Sequence, residues 1–318
     1  MGVLITGGAG FIGSNLCRSL AAARESVRIL DDLSTGSRAN LSDLNGAVDL
    51  MVGDVRNPWT VRRAMDGIDV VFHLAALPTV ARSMADPHRS HDVNVTGTLN
   101  VLQAAREEEV RVLVYASSSS IYGDTPTLPK HEGMDPTPRS PYAASKLAGE
   151  AYCRAFHHAF GLPTVSLRFF NVFGPRQDPG SEYAAVIPRF ATLMMEGRPP
   201  VIFGDGAQSR DFTFVANAVQ ACILAAEAGP DAAGEAMNVG CGQQITLVGL
   251  VAVMNRLLGT SIEPLHTDSR PGDVRHSRAD LSKAQRLLGY QPLVDLDEGL
   301  AQTLGWLSER RSLLTHAG

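Results

Sequence analysis

The apolar segment VLIT (3–6) runs directly into Gly7-Gly8-Ala9-Gly10-Phe11-Ile12-Gly13, and helical patterning follows. Glycine at these spacings permits a tight turn, close backbone approach to a pyrophosphate and close packing of helix on strand. A helix starting there points free N–H groups outward, which suits an anion. Both G-x-G-x-x-G from Gly8 and G-x-x-G-x-x-G through Gly7, Gly10 and Gly13 are satisfied. Either spacing is weak alone and gains specificity from the strand before it and the helix after it. The turn predicts a βα unit that binds a dinucleotide.

The first half repeats that unit. VRIL (27–30), VDLMVGD (48–54), DVVFHLA (69–75), RVLVYAS (111–117) and PTVSLRF (163–169) are near-continuously apolar, as strands buried on both faces of a parallel sheet are. Helical patterning at 11–23, 58–66, 90–109 and 140–160 separates most of them. The expected class is α/β, a Rossmann doubly wound parallel sheet with right-handed crossovers. After Arg168 the chain turns rich in Gly, Pro and aromatics, with a helix expected at 183–196 and another at 213–228 returning to the first domain. Helices at 246–258, 280–288 and 297–310 follow, with little strand pattern. This divides the chain into a dinucleotide-binding domain, residues 1–170 plus about 210–240, and a smaller, mostly helical C-terminal substrate domain, 171–209 with 241–318.

A net charge of -5 excludes a general nucleic-acid binder, so an anionic ligand has to be met locally by arginines and helix N-termini. Cys17, Cys153, Cys222 and Cys241 lie far apart without metal-type spacing, which predicts free thiols, a reducing compartment and no metal site. No apolar run approaches the roughly 20 residues needed to span a bilayer, and no signal-peptide pattern precedes the first strand. A cytoplasmic protein without a membrane partner is expected.

Asp31 and Asp32 follow VRIL, 18 residues past Gly13. A carboxylate there accepts from a ribose 2′-hydroxyl and repels a 2′-phosphate, which favours NAD over NADP. Arg38 is the nearby feature that fits a 2′-phosphate, and a solvated acid at a strand end is the plainer account of Asp31. Asp54 ends the third strand where adenine would lie, and Leu74-Ala75-Ala76 ends the fourth beneath the cofactor. Ordinary strand-end packing explains these positions equally well.

Tyr142 and Lys146 are four apart, which places them on one helix face. Ser140 suits the N-cap and Pro141 the first helical position. An ammonium beside a phenol favours the phenolate, so Tyr142 is expected to have a lowered pKa and to accept a proton. Taken alone, such a pair is more often an ordinary surface pair.

TGGAGFIG, the aspartate pair, GDV, HLAA, NVTGT, the serine run 117–120, YAASK and RFFNVFGPRQ occur in the order of the extended short-chain dehydrogenase/reductases. More closely, the chain resembles their nucleotide-sugar 4-epimerases. The resemblance implies Tyr142 as base, Lys146 on the nicotinamide ribose and Ser118 on the sugar 4-oxygen, with Ser119 and Ser120 competing for that register. It implies a cofactor set of Gly7, Gly10, Phe11, Ile12, Gly13, Asp31 and Asp32, extended by Ser34, Thr35, Gly36, Asp54 and Val55. Leu74, Ala75, Ala76, Asn94, Ser117 and Phe170 complete it around the nicotinamide, beside Tyr142 and Lys146. Hydride would leave C4 for NAD, give a bound 4-keto sugar, and return to the other face.

On the substrate side the resemblance implies a UDP-sugar held by Asn171, Arg210 and Arg270, with Arg176 and Arg189 weaker candidates. Ser119, Val186 and the small Ser277 would line the sugar pocket and leave room for a 2-acetamido group. Arg82 would serve a C6 carboxylate instead, which keeps UDP-glucuronate open. Dehydratases of this family place an Asp-Glu pair where Ser119-Ser120 stand, which disfavours dehydration; decarboxylation lacks its acidic partner. A reductase and a non-catalytic NAD(P)-sensing protein are the remaining rivals. A homodimer through 90–109 and 140–160 is implied by the resemblance alone.

Overall fold

The computed structural model describes residues 1–44, 46–180, 185–269 and 274–316, with side chains as far as Ser312. Six strands alternate with helices: β1 Gly2–Thr6, α1 Phe11–Ala22, β2 Ser26–Asp31, β3 Val48–Val52, α2 Pro58–Met65 and β4 Val70–His73. Then come α3 Val80–Ala85, α4 Pro87–His91, a π-helical turn Asp92–Thr96, α5 Gly97–Glu107, β5 Val112–Ser118, α6 Pro141–Phe160 and β6 Thr164–Phe169. The remaining helices are α7 Val186–Met195, α8 Val215–Glu227, α9 Leu247–Leu258, α10 Ser282–Leu288 and α11 Leu296–His316.

A seventh strand, Ala236–Val239, pairs with β6, so the all-parallel sheet runs seventh strand, β6, β5, β4, β1, β2, β3. No strand was expected there: four residues are too short a run to signal a strand by period. β3 is a correction. It stops at Val52, which is half exposed, because an edge strand needs no burial on both faces.

Strand alternation explains the apolar runs. Val3 and Ile5 point to one layer with Leu16 of α1 and Ala218 of α8. Leu4 points to the other with Val61 of α2, Val101 of α5 and Phe156 of α6. Both faces are therefore covered, as a doubly wound sheet requires. In the C-terminal part, α7 and α11 both pack on α9, with Phe190, Leu250, Met254 and Leu304 buried in the same core. No described helix is long and apolar enough to cross a membrane.

Local chemistry sets the helix carrying Tyr142. Ser140 Oγ accepts from Ala143 N at 3.1 Å, Pro141 opens α6, and Gly161 closes it in the left-handed region. Gly149 lets α6 approach β5: a Cβ there would lie 2.1 Å from the Tyr115 hydroxyl. The single helix expected at 90–109 is instead two helices joined by the π-helical turn, a feature that frequently marks functional sites.

Candidate active site

Where the strand order reverses between β1 and β4, a cavity of about 640 Å³ opens at the carboxyl ends of the strands. The glycines divide the labour. Gly7 is in the left-handed region, and a Cβ on Gly13 would lie 2.2 Å from Gly7 O, so these two bring helix and strand together. Gly8 packs against Ile29, away from the cavity. A Cβ on Gly10 would meet only Gly7 O, at 3.1 Å, so the space above Gly10 is the cavity itself. The spacing that matters is thus Gly7, Gly10, Gly13. No side chain caps α1, which leaves its first-turn N–H groups for an anion. An uncapped helix end facing an open space over Gly10 fits a dinucleotide pyrophosphate.

Asp31 borders this end, 7% exposed, with Oδ2 accepting from Ala9 N at 2.9 Å and Oδ1 from Leu33 N at 2.8 Å. Burial raises its pKa, against those two N–H groups. The carboxylate thus braces the glycine turn while lining the cavity with Asp32, Ser34 and Thr35. Asp54 also lines it, held below the usual carboxylate range chiefly by its hydrogen bond to the Arg56 guanidinium. Val55, Leu74, Ala75 and Ala76 complete this stretch of wall.

At the far end Tyr142, Lys146, Ser117, Ser118 and Ser119 share the wall. Tyr142 and Ser118 both face this corner of the cavity. Lys146 Nζ donates to Ala116 O at 2.7 Å and lies 5.1 Å from the Tyr115 ring centre. The expected lowering of the Tyr142 pKa is corrected: burial raises it, against the Ser118 hydroxyl. Burial also lowers Lys146 to about 8, opposed by Cys153 and Glu150.

Four expected residues stand off the cavity wall. Asn94 is buried behind it in the π-helical turn: Oδ1 accepts from Leu77 N at 2.7 Å, and Nδ2 donates to Leu77 O and to Ser145 Oγ. It ties the loop after β4 to α6 instead of facing the cofactor. Phe170 is fully buried against the Tyr122 ring, Gly36 packs on Ala9, and Val186 opens α7 one residue past the cavity-lining Ala185. Asn171, Arg82, Arg210 and Ser277 do line the cavity, whereas Arg270 lies outside the described residues. Arg176 pairs with Asp43 and Arg189 donates to Val201 O; neither borders the cavity.

Sequence reasoning missed other wall residues. Arg56, Arg89, Thr79, Lys130 and Gln177 line the cavity. Thr79 has φ 82°, a strained conformation for a β-branched residue, and such outliers cluster at functional sites. Gln177 lay within the quoted RFFNVFGPRQ run and was legible there.

His73 at the end of β4 is wholly buried, Nδ1 2.7 Å from Thr6 Oγ1 and Nε2 2.9 Å from Thr98 Oγ1. Thr98 Oγ1 in turn donates to Asn94 O, so His73 locks the floor of the cavity. Burial lowers its pKa to about 3, so the folded protein refuses a proton that the unfolded chain binds below about 6.5. That stability is present above pH 6.5 and lost as pH falls toward 3. Between pH 6.5 and 5 the His73 contribution should fall by about 1.5 kcal/mol. Urea unfolding at the two pH values should show this loss in the wild type and not in His73→Gln.

A glycine-turn dinucleotide cleft joined to a serine–tyrosine–lysine group at the strand ends defines an extended short-chain dehydrogenase/reductase. Residues 3–240 match the model of the NAD dependent epimerase/dehydratase family, and the chain belongs to that family. It is 40% identical over 312 residues to a UDP-glucose 4-epimerase of Mycolicibacterium smegmatis, covering 96% of this chain and 97% of that one. A solved UDP-N-acetylglucosamine 4-epimerase of Methanobrevibacter ruminantium, in complex with UDP-N-acetylmuramic acid, superposes with a TM-score of 0.93 at 38% identity, covering 97% and 98% of the two chains. A UDP-glucuronic acid 4-epimerase of Bacillus cereus, solved with UDP-glucuronic acid and NAD, gives 0.91 at 33% identity and covers 98% and 100%. NAD is the cofactor of this family.

Proposed function

We propose that this protein is an NAD-dependent UDP-sugar 4-epimerase acting on UDP-N-acetylglucosamine and its C4 epimer. The carrying observation is that Tyr142, Lys146 and Ser118 line one end of a cavity whose other end is the uncapped helix over Gly10. In this reading Tyr142 removes the proton from the sugar 4-hydroxyl and later returns it, while Ser118 holds the 4-oxygen. Bound NAD takes the hydride from C4 and gives it back, and in its oxidised form adds the positive charge that favours the buried phenolate. Lys146, held by Ala116 O, points its charge at the same corner. Proton and hydride both return to the sugar, so there is no net redox. Arg210 and Asn171 take the diphosphate; guanidinium forks suit phosphate oxygens.

One observation supports the acetamido group: the small Ser277 leaves room in the cavity wall. Arg82 on the same wall favours a second reading, UDP-glucuronate as substrate. Dehydration is disfavoured: among the described acids of the wall, Asp31, Asp32 and Asp54 line the opposite end, and Asp178 Oδ1 accepts from Gly180 N. The reading includes the division at 170, 210 and 240, a cytoplasmic location, and a homodimer through the outer faces of α5 and α6, where Tyr152 and Phe160 are exposed.

The test is incubation with UDP-N-acetylglucosamine, UDP-glucose and UDP-glucuronate, followed by NMR of the products. A C4 epimer of the first without released NADH is expected; no epimer from any of the three would sink the proposal. Ser277→Tyr should lower kcat/KM for the acetamido sugar relative to UDP-glucose by about 10- to 200-fold.

A further inference from the structure

A chain of buried polar groups runs from the serine segment to the opposite wall of the sugar pocket. Ser117 Oγ, one residue before Ser118, donates to Glu150, which stands one turn beyond Lys146 on α6. Arg168 grips that carboxylate with Nε and Nη2, at 3.0 and 2.8 Å, and its Nη1 donates to the Tyr122 hydroxyl at 2.8 Å. Tyr122 donates onward to Asn238 Oδ1 at 2.7 Å, on the seventh strand. Asn238 Nδ2 then donates to the main-chain oxygens of Lys130 and Asp280, at 2.9 and 3.1 Å. Lys130 N reaches Arg278 O at 2.7 Å, adjoining Ser277.

We infer that Glu150, Arg168, Tyr122 and Asn238 are positioning residues that fix the Ser118 segment against the wall carrying Ser277. None of the four lines the cavity. The chain has little slack: Ser117, Glu150, Arg168, Tyr122 and Asn238 are each at most 6% exposed, and each side chain is hydrogen-bonded to the next. Packing alone would not need this pattern, since apolar residues would fill the space at no desolvation cost. Its output is the separation between the group holding the 4-oxygen and the wall that admits the sugar's substituent. Small misplacements of that kind cost about 10²-fold in rate.

The inference rests on the epimerase reading, whose own test is the wild-type product panel; the variants below are compared only with wild type of proven activity. Tyr122→Phe keeps the ring against Phe170 and removes the junction hydroxyl. NAD-loaded, folded Tyr122→Phe should lose about 10- to 100-fold in kcat with unchanged NAD content. Asn238→Asp keeps the acceptor for Tyr122 but loses the donors to Lys130 and Asp280, and should act instead on KM and on the preference between UDP-N-acetylglucosamine and UDP-glucose. A purely structural role would lower the unfolding temperature of both variants and leave kcat and KM per folded, NAD-loaded molecule unchanged, which overturns the inference. Should Tyr122→Phe not fold, the split expected of Asn238→Asp decides.

Discussion

Tyr142→Phe is expected to lower kcat by about 10²- to 10⁴-fold, the usual worth of a positioned general acid–base group. The substitution removes only the phenol hydroxyl and leaves the helix start at Ser140 and Pro141 intact. NAD content, read from the nucleotide released on denaturation, should therefore stay near wild type, and so should the unfolding temperature. Near-normal turnover would remove Tyr142 as the base. Loss of cofactor together with turnover would assign it to binding.

Arg168→Met should destabilise the protein by about 3–5 kcal/mol, because it leaves the Glu150 carboxylate buried and uncompensated. Arg168 and Glu150 are 4% and 6% exposed, so solvent cannot take over the charge. The double variant Glu150→Gln with Arg168→Met should regain most of that loss, since the stranded charge is gone. Denaturant unfolding with saturating NAD on all three proteins measures this, holding the cofactor's contribution fixed. A single variant within about 1 kcal/mol of wild type would show that water or another cation reaches Glu150.

Much of this was readable in the residues. The glycine turn, the alternation of strands and helices and the Ser140-Pro141 helix start follow from local rules, and local rules hold where burial and backbone geometry agree. Two kinds of feature were out of reach. The seventh strand is four residues, and its identity comes from pairing with β6. The Tyr142 pKa was misjudged because spacing shows a neighbouring ammonium but not the burial that outweighs it. Glu150 was within reach: it follows Lys146 by four, on the face of α6 already carrying Tyr142, yet no reading singled it out. Asn94 was placed in the right neighbourhood, but that it fastens the loop after β4 to α6 shows only in the folded π-helical turn.

The position of the seventh strand bears on how the chain acquires its shape during synthesis. When β6 emerges from the ribosome, its outer edge has no neighbour, and none comes until residues 236–239 follow, more than 60 residues later. At about 5–20 residues per second that interval lasts some seconds. During it β6, apolar and unprotected, is a template for any passing strand. Nascent chains arrested between residues 170 and 235 should accordingly bind chaperones and aggregate, while those arrested well past residue 240 should not.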